Sequence, residues 1–371
     1  MSYDRPMADH MIPTALADIT PAMMTDGLRA NGFDDVEVAS IEVERIAVGE
    51  GFLGELARLH LTYGSGSGPA TAIGKIPTTD SGLKPIGDML DVYGREHRAY
   101  EEIVPQLKVR APRAWVNLGD AASGAYCLVL EDVGHLTPGD HHAGGTLEQA
   151  RAAVTAAAGV HSRWWNKVGD LEWVPPIDSP LNMGFQDLFE ASWPAVVDMY
   201  GEILGADVIA HLESFIPTVC DLFTAYGPVS VTLTHNDFRL DNMFFDGDEL
   251  LLIDWQVVGR GDGMGDLCPF MSSNLDPALR REHEMDLFAT YHRLMGEAGA
   301  GYLEFDDLIT SYRFSLNFWL ANWCNAAATK GETTQRGEEL FERMLVRNVD
   351  AYRQHEAWEL IGIPTLDLAR H

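Results

Sequence analysis

The chain has 371 residues, of which 46% are hydrophobic, and this is enough material for two lobes that each bury a core. Asp and Glu number 56 against 26 Lys and Arg, and the resulting formal charge of −30 argues against nucleic acid or an anionic membrane surface as a partner. No apolar run reaches the ~18 residues that a membrane-spanning helix needs, and the N-terminal residues lack the apolar core of a secretory signal. We therefore expect a cytoplasmic protein whose acidity serves solubility, although it could also attract a cationic substrate.

The first third of the chain is predicted to be rich in strands. A short helix at 19–32 begins with Thr20-Pro21, a capping residue followed by a first-turn proline. Over residues 57–63, apolar and polar residues alternate with period two, which is typical of a half-buried strand. The predicted strands are 41–48, 57–63, 70–76 and 125–132, and a further helix is predicted at 91–107.

The rest of the chain is predicted to be mainly helical, beginning after a polar loop at 134–146. The helical segments are 147–168, 186–226, 277–298, 305–329 and 334–358. A strand-like interruption at 229–258 contains a predicted hairpin, Met243–Leu252. We therefore predict an α+β fold, in which a small N-terminal lobe built on an antiparallel sheet (1–132) precedes a large helical C-terminal lobe (133–371).

The four cysteines are not spaced like metal ligands or a redox pair, and each has apolar neighbours. They are Cys127, Cys220, Cys268 and Cys324. Reduced thiols packed in the core, without a disulfide framework, are the expected state.

Three glycines, Gly49, Gly51 and Gly54, form a G-x-G-x-x-G sequence between two predicted strands. A dinucleotide-binding fold would need a helix directly after them, and a strand follows instead. A glycine-rich turn between antiparallel strands can act as a flap whose backbone amides approach nucleotide phosphates. For these residues alone an ordinary glycine hairpin is an equally good interpretation, and a dinucleotide-dependent oxidoreductase has no other support.

Lys75 places a charge inside the apolar strand 70–76, where a lysine needs a partner or loses its proton. Glu96 lies on the apolar face of the predicted helix 91–107 and is the expected partner. In a nucleotide-binding site such a pair would direct the lysine toward the α- and β-phosphates. A lysine that reaches solvent beside an unrelated surface glutamate is the alternative.

The most informative segment is Thr234–Asn242, which reads H-x-D-x-x-x-x-N and is followed after a short turn by Asp254. Phosphoryl transfer requires a carboxylate that orients the attacking hydroxyl and oxygen ligands that hold Mg²⁺ against the phosphates. Asp237 fits the first role, and Asn242 and Asp254 fit the second because Mg²⁺ prefers a few hard oxygen ligands. The hairpin between them would bring Asn242 and Asp254 side by side. The segment therefore predicts transfer of the γ-phosphate of ATP, with ATP and Mg²⁺ as cofactors.

Two more residues of this motif, His235 and Arg239, are candidate catalytic residues with Asp237. His235 is expected to hydrogen-bond the surrounding backbone and fix the loop rather than to transfer a proton. Asp266, which lies further along in a glycine-rich segment, could anchor the same loop.

These residues give the chain a resemblance to the aminoglycoside phosphotransferase and choline kinase superfamily, most closely to its ecdysteroid-kinase-like branch. The segments that carry it are Gly49–Phe52, Lys75, Glu96–Tyr100, Leu130–Asp132, Val160–Trp164, His235–Asp237 and Ile253–Gln256. The resemblance implies a protein-kinase-like, two-lobed fold and a kinase that phosphorylates the hydroxyl of a small molecule. It also implies a hinge whose backbone reads adenine, formed by Leu130, Glu131, Asp132 and Val133.

The sequence departs from related patterns at two places. Asn236 stands where aminoglycoside kinases usually have glycine, which weakens that particular substrate assignment. Trp255-Gln256 replaces the Phe-Gly of protein kinases, and no Ala-Pro-Glu segment follows, so a protein substrate is not expected. A nucleotide-sensing pseudokinase without transfer activity is the alternative function, although every expected polar group is present.

Two further groups of residues allow a functional interpretation. His135, Asp140, His141 and His142 could bind a metal, but a solvated loop is favoured because glycines surround them. Tryptophans on helices are mostly core residues. Trp319 and Trp323, four residues apart, could nevertheless line an acceptor pocket for a ring or an apolar body.

Overall fold

The computed structural model describes residues 10–46, 53–225, 232–329 and 334–369. Its backbone contacts divide the chain into two compact units that interleave along the sequence. The first unit comprises Met1–Gln106, Ala111–Leu136 and Ile253–Val257, and the second comprises Leu107–Arg110, Thr137–Leu252 and Val258–His371.

Five strands among the described residues form the antiparallel sheet of the first unit. They are β1 (Glu37–Ile46), β2 (Gly54–Ser65), β3 (Thr71–Pro77), β4 (Ala114–Asp120) and β5 (Ala125–Glu131), in the spatial order β1-β2-β3-β5-β4. Burial alternates along β3, where Ala72, Gly74 and Ile76 are buried and Lys75 lies on the opposite face. The period-two pattern of the sequence thus separates an apolar face from a face that carries polar groups.

The apolar face is covered by helix α1 (Pro21–Ala30), which is capped by the hydroxyl of Thr20. Gly27 allows α1 to approach β4 closely, since a Cβ there would lie 2.3 Å from the carbonyl oxygen of Trp115. The core between helix and sheet includes Leu16, Ile19, Met23, Met24, Leu28, Leu59, Ala72, Ile76 and Val129. Helix α1 therefore covers the apolar face of the sheet, and Lys75 lies on the opposite face.

The remaining helices of the first unit are α2 (Lys84–Met89) and α3 (Val92–Arg98). Helix α3 continues into a π-helical turn at Ala99–Ile103 and a 3₁₀ turn at Val104–Gln106. The helix predicted at 91–107 is therefore present but irregular in its second half. Pro105 lies in the last turn, where its missing N–H prevents a regular continuation.

The second unit contains short strands among its helices. β7 (Thr232–Thr234) pairs with β10 (Gly259–Gly261), and β6 (Thr137–Pro138) pairs with the hairpin of β8 (Met243–Asp246) and β9 (Glu249–Leu252). Met243 is the Cα partner of Leu252, so the hairpin predicted from the sequence is confirmed.

The helices of the second unit carry most of its core. They are α4 (Leu147–Trp164), α5 (Pro180–Met183), α6 (Phe185–Phe215), α7 (Asp221–Ala225), α8 (Met264–Ser273), α9 (Pro277–Glu297), α10 (Phe305–Thr329) and α11 (Gln335–Gln354). All four cysteines are free and buried, as expected. Burial raises the pKa of the Cys127 thiol to about 12, so this thiol stays protonated.

The structure also differs from the predicted elements in the second unit and at β4. The helix predicted at 186–226 is kinked at Gly205, where φ is +74°, and α6 ends at Phe215. Strand β4 and helix α8 were not predicted. Helix α8 contains Pro269 and is buried almost all round, so it shows no apolar stripe.

The antiparallel sheet of the first unit and the helices of the second confirm the predicted α+β class. Among the described residues, none of the helices combines the length and hydropathy needed to cross a bilayer.

Candidate active site

Lys75 is the centre of a buried ion-pair cluster in the first unit. Its Nζ lies 2.7 Å from a carboxylate oxygen of Glu96 on α3 and 3.0 Å from Oδ1 of Asp254. The amide oxygen of Gln256 lies 3.5 Å from the same nitrogen. The predicted pairing of Lys75 with Glu96 is confirmed, and Asp254 is a second partner that the sequence argument did not assign.

The charges of this cluster depend on one another. Burial alone would lower the pKa of Lys75, but Asp254 and Glu96 together raise it above its ordinary value. Burial raises the pKa of Glu96, and the nearby charge of Asp254 adds to this effect, while Lys75 opposes it. The lysine is therefore a fixed ammonium ion whose presence permits two carboxylates in a confined space.

Asp254 adopts an unusual backbone conformation for a residue with a side chain, with φ at +66°. Asp and Asn tolerate this left-handed region better than other non-glycine residues. Its Oδ2 accepts a hydrogen bond of 3.2 Å from Nε2 of Gln256. The orientation of the Asp254 carboxylate is thus set by its own backbone conformation and by its contacts with Gln256 and Lys75.

A small open recess adjoins the ion pair within the first unit. It is lined by residues of β3, α3, β4 and β5, including Tyr93, His97, Asn117 and Tyr126. His97 and Asn117 form a hydrogen bond of 2.7 Å in its wall. The ion pair is therefore bordered by a small open space.

In the second unit, the loop after β7 holds the carboxylate of Asp237 from two sides. Nε of Arg239 donates to Oδ1 at 2.7 Å, and Nδ2 of Asn242 donates to Oδ2 at 2.7 Å. The same Asn242 nitrogen also donates to the carbonyl oxygen of Asp237 at 2.9 Å. Arg239 lies 3.5 Å from Asp241 as well, so its charge is shared between two carboxylates.

The backbone of this loop is anchored by Asp266 in the first turn of α8. Its two carboxylate oxygens accept hydrogen bonds from the N–H groups of His235 at 2.7 Å and Asn236 at 2.8 Å. The buried ring of His235 accepts a 3.3 Å hydrogen bond at Nδ1 from the N–H of Asp237. The expected contacts of His235 and Asp266 with the loop backbone are both present.

Asn236 occupies a position that suits glycine, since its φ is +61°. The residue is exposed, and its side chain lies over Gly259, where a Cβ would come within 2.5 Å of its Nδ2. Gly259, which has no side chain, therefore leaves the space that the side chain of Asn236 occupies next to Asp237.

The segment expected to form a hinge begins at the end of β5. Asp132 accepts a hydrogen bond of 2.7 Å from Nε of Arg58, and the N–H of Gly134 donates to it at 2.9 Å. Although burial opposes it, these bonds lower the pKa of Asp132. Leu130 and Val133 are buried, and the side chain of Glu131 accepts from the N–H of Arg113.

The glycine flap is described only in part. Gly49 and Gly51 lie outside the described residues, and Gly54 begins β2. A Cβ on Gly54 would lie 3.2 Å from the carbonyl oxygen of Ile76, so the two strands approach closely at this point.

The interpretation of segment 134–146 as a solvated loop is wrong at His141, which is fully buried. Its N–H donates to Asp241 at 2.9 Å, and its Nε2 lies 3.1 Å from the carbonyl oxygen of Ser273. Arg347 donates to the carbonyl oxygen of His141 at 2.8 Å. Burial, reinforced by the charges of Arg239 and Arg347, lowers the pKa of His141 to about 3.

Trp319 and Trp323 belong to an array of aromatic rings in the second unit. Their ring centroids are 5.6 Å apart, and Trp319 also contacts Phe318 at 5.4 Å. Phe318 packs against Phe185 of α6 and Phe223 of α7. The core interpretation of these rings is therefore supported, and their role as an acceptor pocket stays a prediction.

Comparisons with known proteins were made for the sequence and for the fold. Residues 83–298, more than half of the chain, match the model of the phosphotransferase enzyme family. The sequence has no significant match among curated proteins.

Three solved structures illustrate the similarity of the fold. A protein from Ralstonia eutropha JMP134 that is assigned as an aminoglycoside phosphotransferase is 17% identical, with 90% of this chain and 98% of that chain covered and a TM-score of 0.53. Choline kinase from Cryptosporidium parvum Iowa II is 13% identical, with 86% and 90% covered and a TM-score of 0.53. A spectinomycin phosphotransferase in complex with ADP and spectinomycin is 11% identical, with 89% and 97% covered and a TM-score of 0.52.

These likenesses confirm the predicted kinase-like fold and the predicted superfamily, whereas the ecdysteroid-kinase-like branch stays a prediction. The family match extends from α2 to the end of α9 and includes Glu96, Asp237, Asn242 and Asp254. The chain therefore belongs to the phosphotransferase enzyme family and is an ATP-dependent phosphotransferase.

Proposed function

We propose that the chain transfers the γ-phosphate of ATP to a hydroxyl group of a small molecule, with Asp237 orienting that hydroxyl. The observation that carries the proposal is the carboxylate of Asp237, which is held at 2.7 Å by Arg239 on one oxygen and by Asn242 on the other. A carboxylate has about four lone-pair sites, so each oxygen can still accept one further hydrogen bond. An acceptor hydroxyl that donates a hydrogen bond to Asp237 would already be oriented for attack, which reduces the entropic cost of reaching the transition state.

Lys75 is proposed to contact the α- and β-phosphates of ATP. The ammonium ion is held by Glu96 and Asp254, and its raised pKa keeps it charged at neutral pH. A preorganised cation of this kind stabilises phosphate charge without reorganising during the reaction. The backbone of Leu130–Val133 is proposed to bind adenine, and Gly49, Gly51 and Gly54 are proposed to cover the phosphates.

Asn242 and Asp254 are proposed as ligands of Mg²⁺, because their donor atoms suit this ion. The Nδ2 of Asn242 is occupied by Asp237, which leaves the amide oxygen as its free ligand atom. Asp254 supplies a carboxylate, and both are hard oxygen donors. The ion would neutralise charge on the phosphates.

The acceptor is proposed to be a small molecule with an apolar ring or body, or a cation. The neighbouring rings of Trp319 and Trp323 in the second unit are the proposed contacts for a ring or an apolar body, and the formal charge of −30 favours a cationic ligand over an anionic one. His235 is proposed to fix the loop, and Arg239 to hold Asp237 in place.

The test compares Asp237→Asn with Asp248→Asn, the same substitution at an exposed residue of the β8–β9 turn. ATP consumption and phosphorylated product are measured against amino alcohols, aminoglycosides, sugars, nucleosides and sterols. We expect Asp237→Asn to lower turnover by ~10²–10⁴ while nucleotide affinity changes little, and Asp248→Asn to be neutral. A chain that binds nucleotide tightly but phosphorylates no acceptor, with hydrolysis unaffected by Asp237→Asn, would instead be a nucleotide-sensing pseudokinase.

A further inference from the structure

A sealed hydrogen-bond network lies behind the loop that carries Asp237, entirely within the second unit. Asp266 uses one oxygen for the N–H of His235 and the other for the N–H of Asn236. The Oδ2 atom that receives His235 also lies 3.0 Å from Nε2 of His161, which belongs to the last turn of α4. Asp266 and His161 are 1% and 0% exposed, so water does not compete for these bonds.

The geometry around His161 indicates which of its ring nitrogens donates to Asp266. A carboxylate can only accept, so Nε2 of His161 must carry a proton and donate to Asp266. The other ring nitrogen, Nδ1, lies 2.8 Å from the hydroxyl of Tyr291 on α9, which completes the hydrogen bonding of the ring. The hydroxyl of Tyr291 thus helps to hold the ring in the orientation in which Nε2 donates to Asp266.

The surroundings leave little freedom for this chain of groups. A Cβ on Gly263 would lie 2.3 Å from the hydroxyl of Tyr291 and 2.9 Å from Nδ1 of His161. The hydroxyl of Thr232 donates to the carbonyl oxygen of His161 at 2.6 Å and so ties α4 to the strand that leads into the loop. Gly263 therefore lies directly against Tyr291 and His161, and Thr232 links the network to β7.

We propose that His161 and Tyr291 are positioning residues for phosphoryl transfer, which set the orientation of Asp266 and through it the backbone from which Asp237 projects. Without His161, the Asp266 carboxylate would be held by two loop amides alone and could rotate with the loop. A displacement of about 1 Å at a reacting group can cost ~10²-fold in rate. The inference rests on the proposed role of Asp237 and is independent of the identity of the acceptor.

The first measurement is hydrolysis of MgATP with water as the acceptor. We expect His161→Leu to lower turnover by ~10–100-fold while the KM for ATP stays within about twofold, because the nucleotide contacts are unchanged. His161→Gln keeps an N–H donor near the position of Nε2 and should restore most of the turnover. Tyr291→Phe should lower turnover, whereas Tyr352→Phe should not, since the Tyr352 hydroxyl is buried with no hydrogen-bond partner among the described residues.

The second measurement is hydrogen exchange at the amides of residues 235 and 236, which does not depend on activity. His161→Leu and Tyr291→Phe should speed exchange there by at least ~10-fold relative to amides of α10, and Tyr352→Phe should not. Unchanged exchange at these amides in Tyr291→Phe, or equal changes throughout the second unit, would overturn the proposal. Fast exchange in a protein that does not hydrolyse ATP would support the positioning network and contradict the proposed function instead.

Discussion

Replacing Lys75 by methionine should destabilise the first unit in a pH-dependent way. At an effective dielectric constant of about 20, two opposite charges about 3 Å apart attract by roughly 5–6 kcal/mol. Lys75 makes two such contacts, with Glu96 at 2.7 Å and Asp254 at 3.0 Å, and the cost of burying three charges offsets most of the gain. Removing the cation leaves two confined carboxylates, so we expect a loss of about 3–5 kcal/mol in the free energy of unfolding at pH 8.

The sign of the pH dependence follows from the carboxylates. Burial already raises the pKa of Glu96, and loss of Lys75 would raise it further above its unfolded value. A carboxyl with a raised folded pKa contributes stability at low pH that is lost as the pH rises through that pKa. The deficit of Lys75→Met relative to the unchanged protein should therefore be smaller at pH 5 than at pH 8.

Urea unfolding at pH 5, 6, 7 and 8, followed by fluorescence and circular dichroism, measures this deficit. Lys84→Met is a matched control, because Lys84 pairs with Asp88 at the surface and an exposed pair contributes at most about 1 kcal/mol. The double variant Lys75→Met/Glu96→Gln should recover part of the loss at pH 8. A deficit that is the same at pH 5 and pH 8, or below about 1 kcal/mol throughout, would refute the electrostatic account of this cluster.

Three further predictions concern the metal, acid stability and packing. Asp254→Asn should lower turnover by ~10²–10³. It should also abolish the difference between the affinity for ATP measured with Mg²⁺ present and that measured with EDTA present, which a fluorescence titration determines. An unchanged difference would contradict the role of Asp254 as a metal ligand. His141 has a folded pKa of about 3 against an unfolded value of 6.5, so stability present above pH 6.5 is lost as the pH falls. The unchanged protein should thus lose about 2 kcal/mol more than His141→Gln between pH 7 and pH 5 in urea unfolding, and equal losses would speak against this. Gly27→Ala should cost about 1–3 kcal/mol because its Cβ meets the Trp115 carbonyl, whereas Gly169→Ala, with open space around it, should be neutral; similar midpoints for both would reject the close approach.

The sequence predicted those parts of the molecule that local patterns encode. The apolar segment 70–76 identified the strand that holds Lys75, and the apolar stripe of helix 91–107 identified Glu96 as its partner. The turn Asp246–Asp248 identified the hairpin between Asn242 and Asp254. These features depend on spacing within a few residues, which a sequence displays directly.

The parts that were missed depend on residues distant in the chain. His141 was assigned to a solvated loop because its neighbours in the sequence are polar and glycine-rich. In the structure, Arg347, which is 206 residues away, donates a hydrogen bond to its carbonyl oxygen. Helix α8 was missed because it is buried on nearly all sides and therefore shows no amphipathic pattern in the sequence. The contact between His161 and Asp266 joins positions 105 residues apart, and no local pattern indicates it.

The charges around the candidate site explain why a metal should accompany the nucleotide. Lys75 is already paired with two carboxylates within the first unit, and Arg239 with two, Asp237 and Asp241, within the second. In each unit, two carboxylates therefore accompany one of these cations, in a chain whose formal charge is −30. Free ATP would add further negative charge to groups that are already in excess. A divalent cation that binds carboxylate and phosphate oxygens together reverses this balance, so the proposed ligands Asn242 and Asp254 belong to nucleotide binding as much as to transfer.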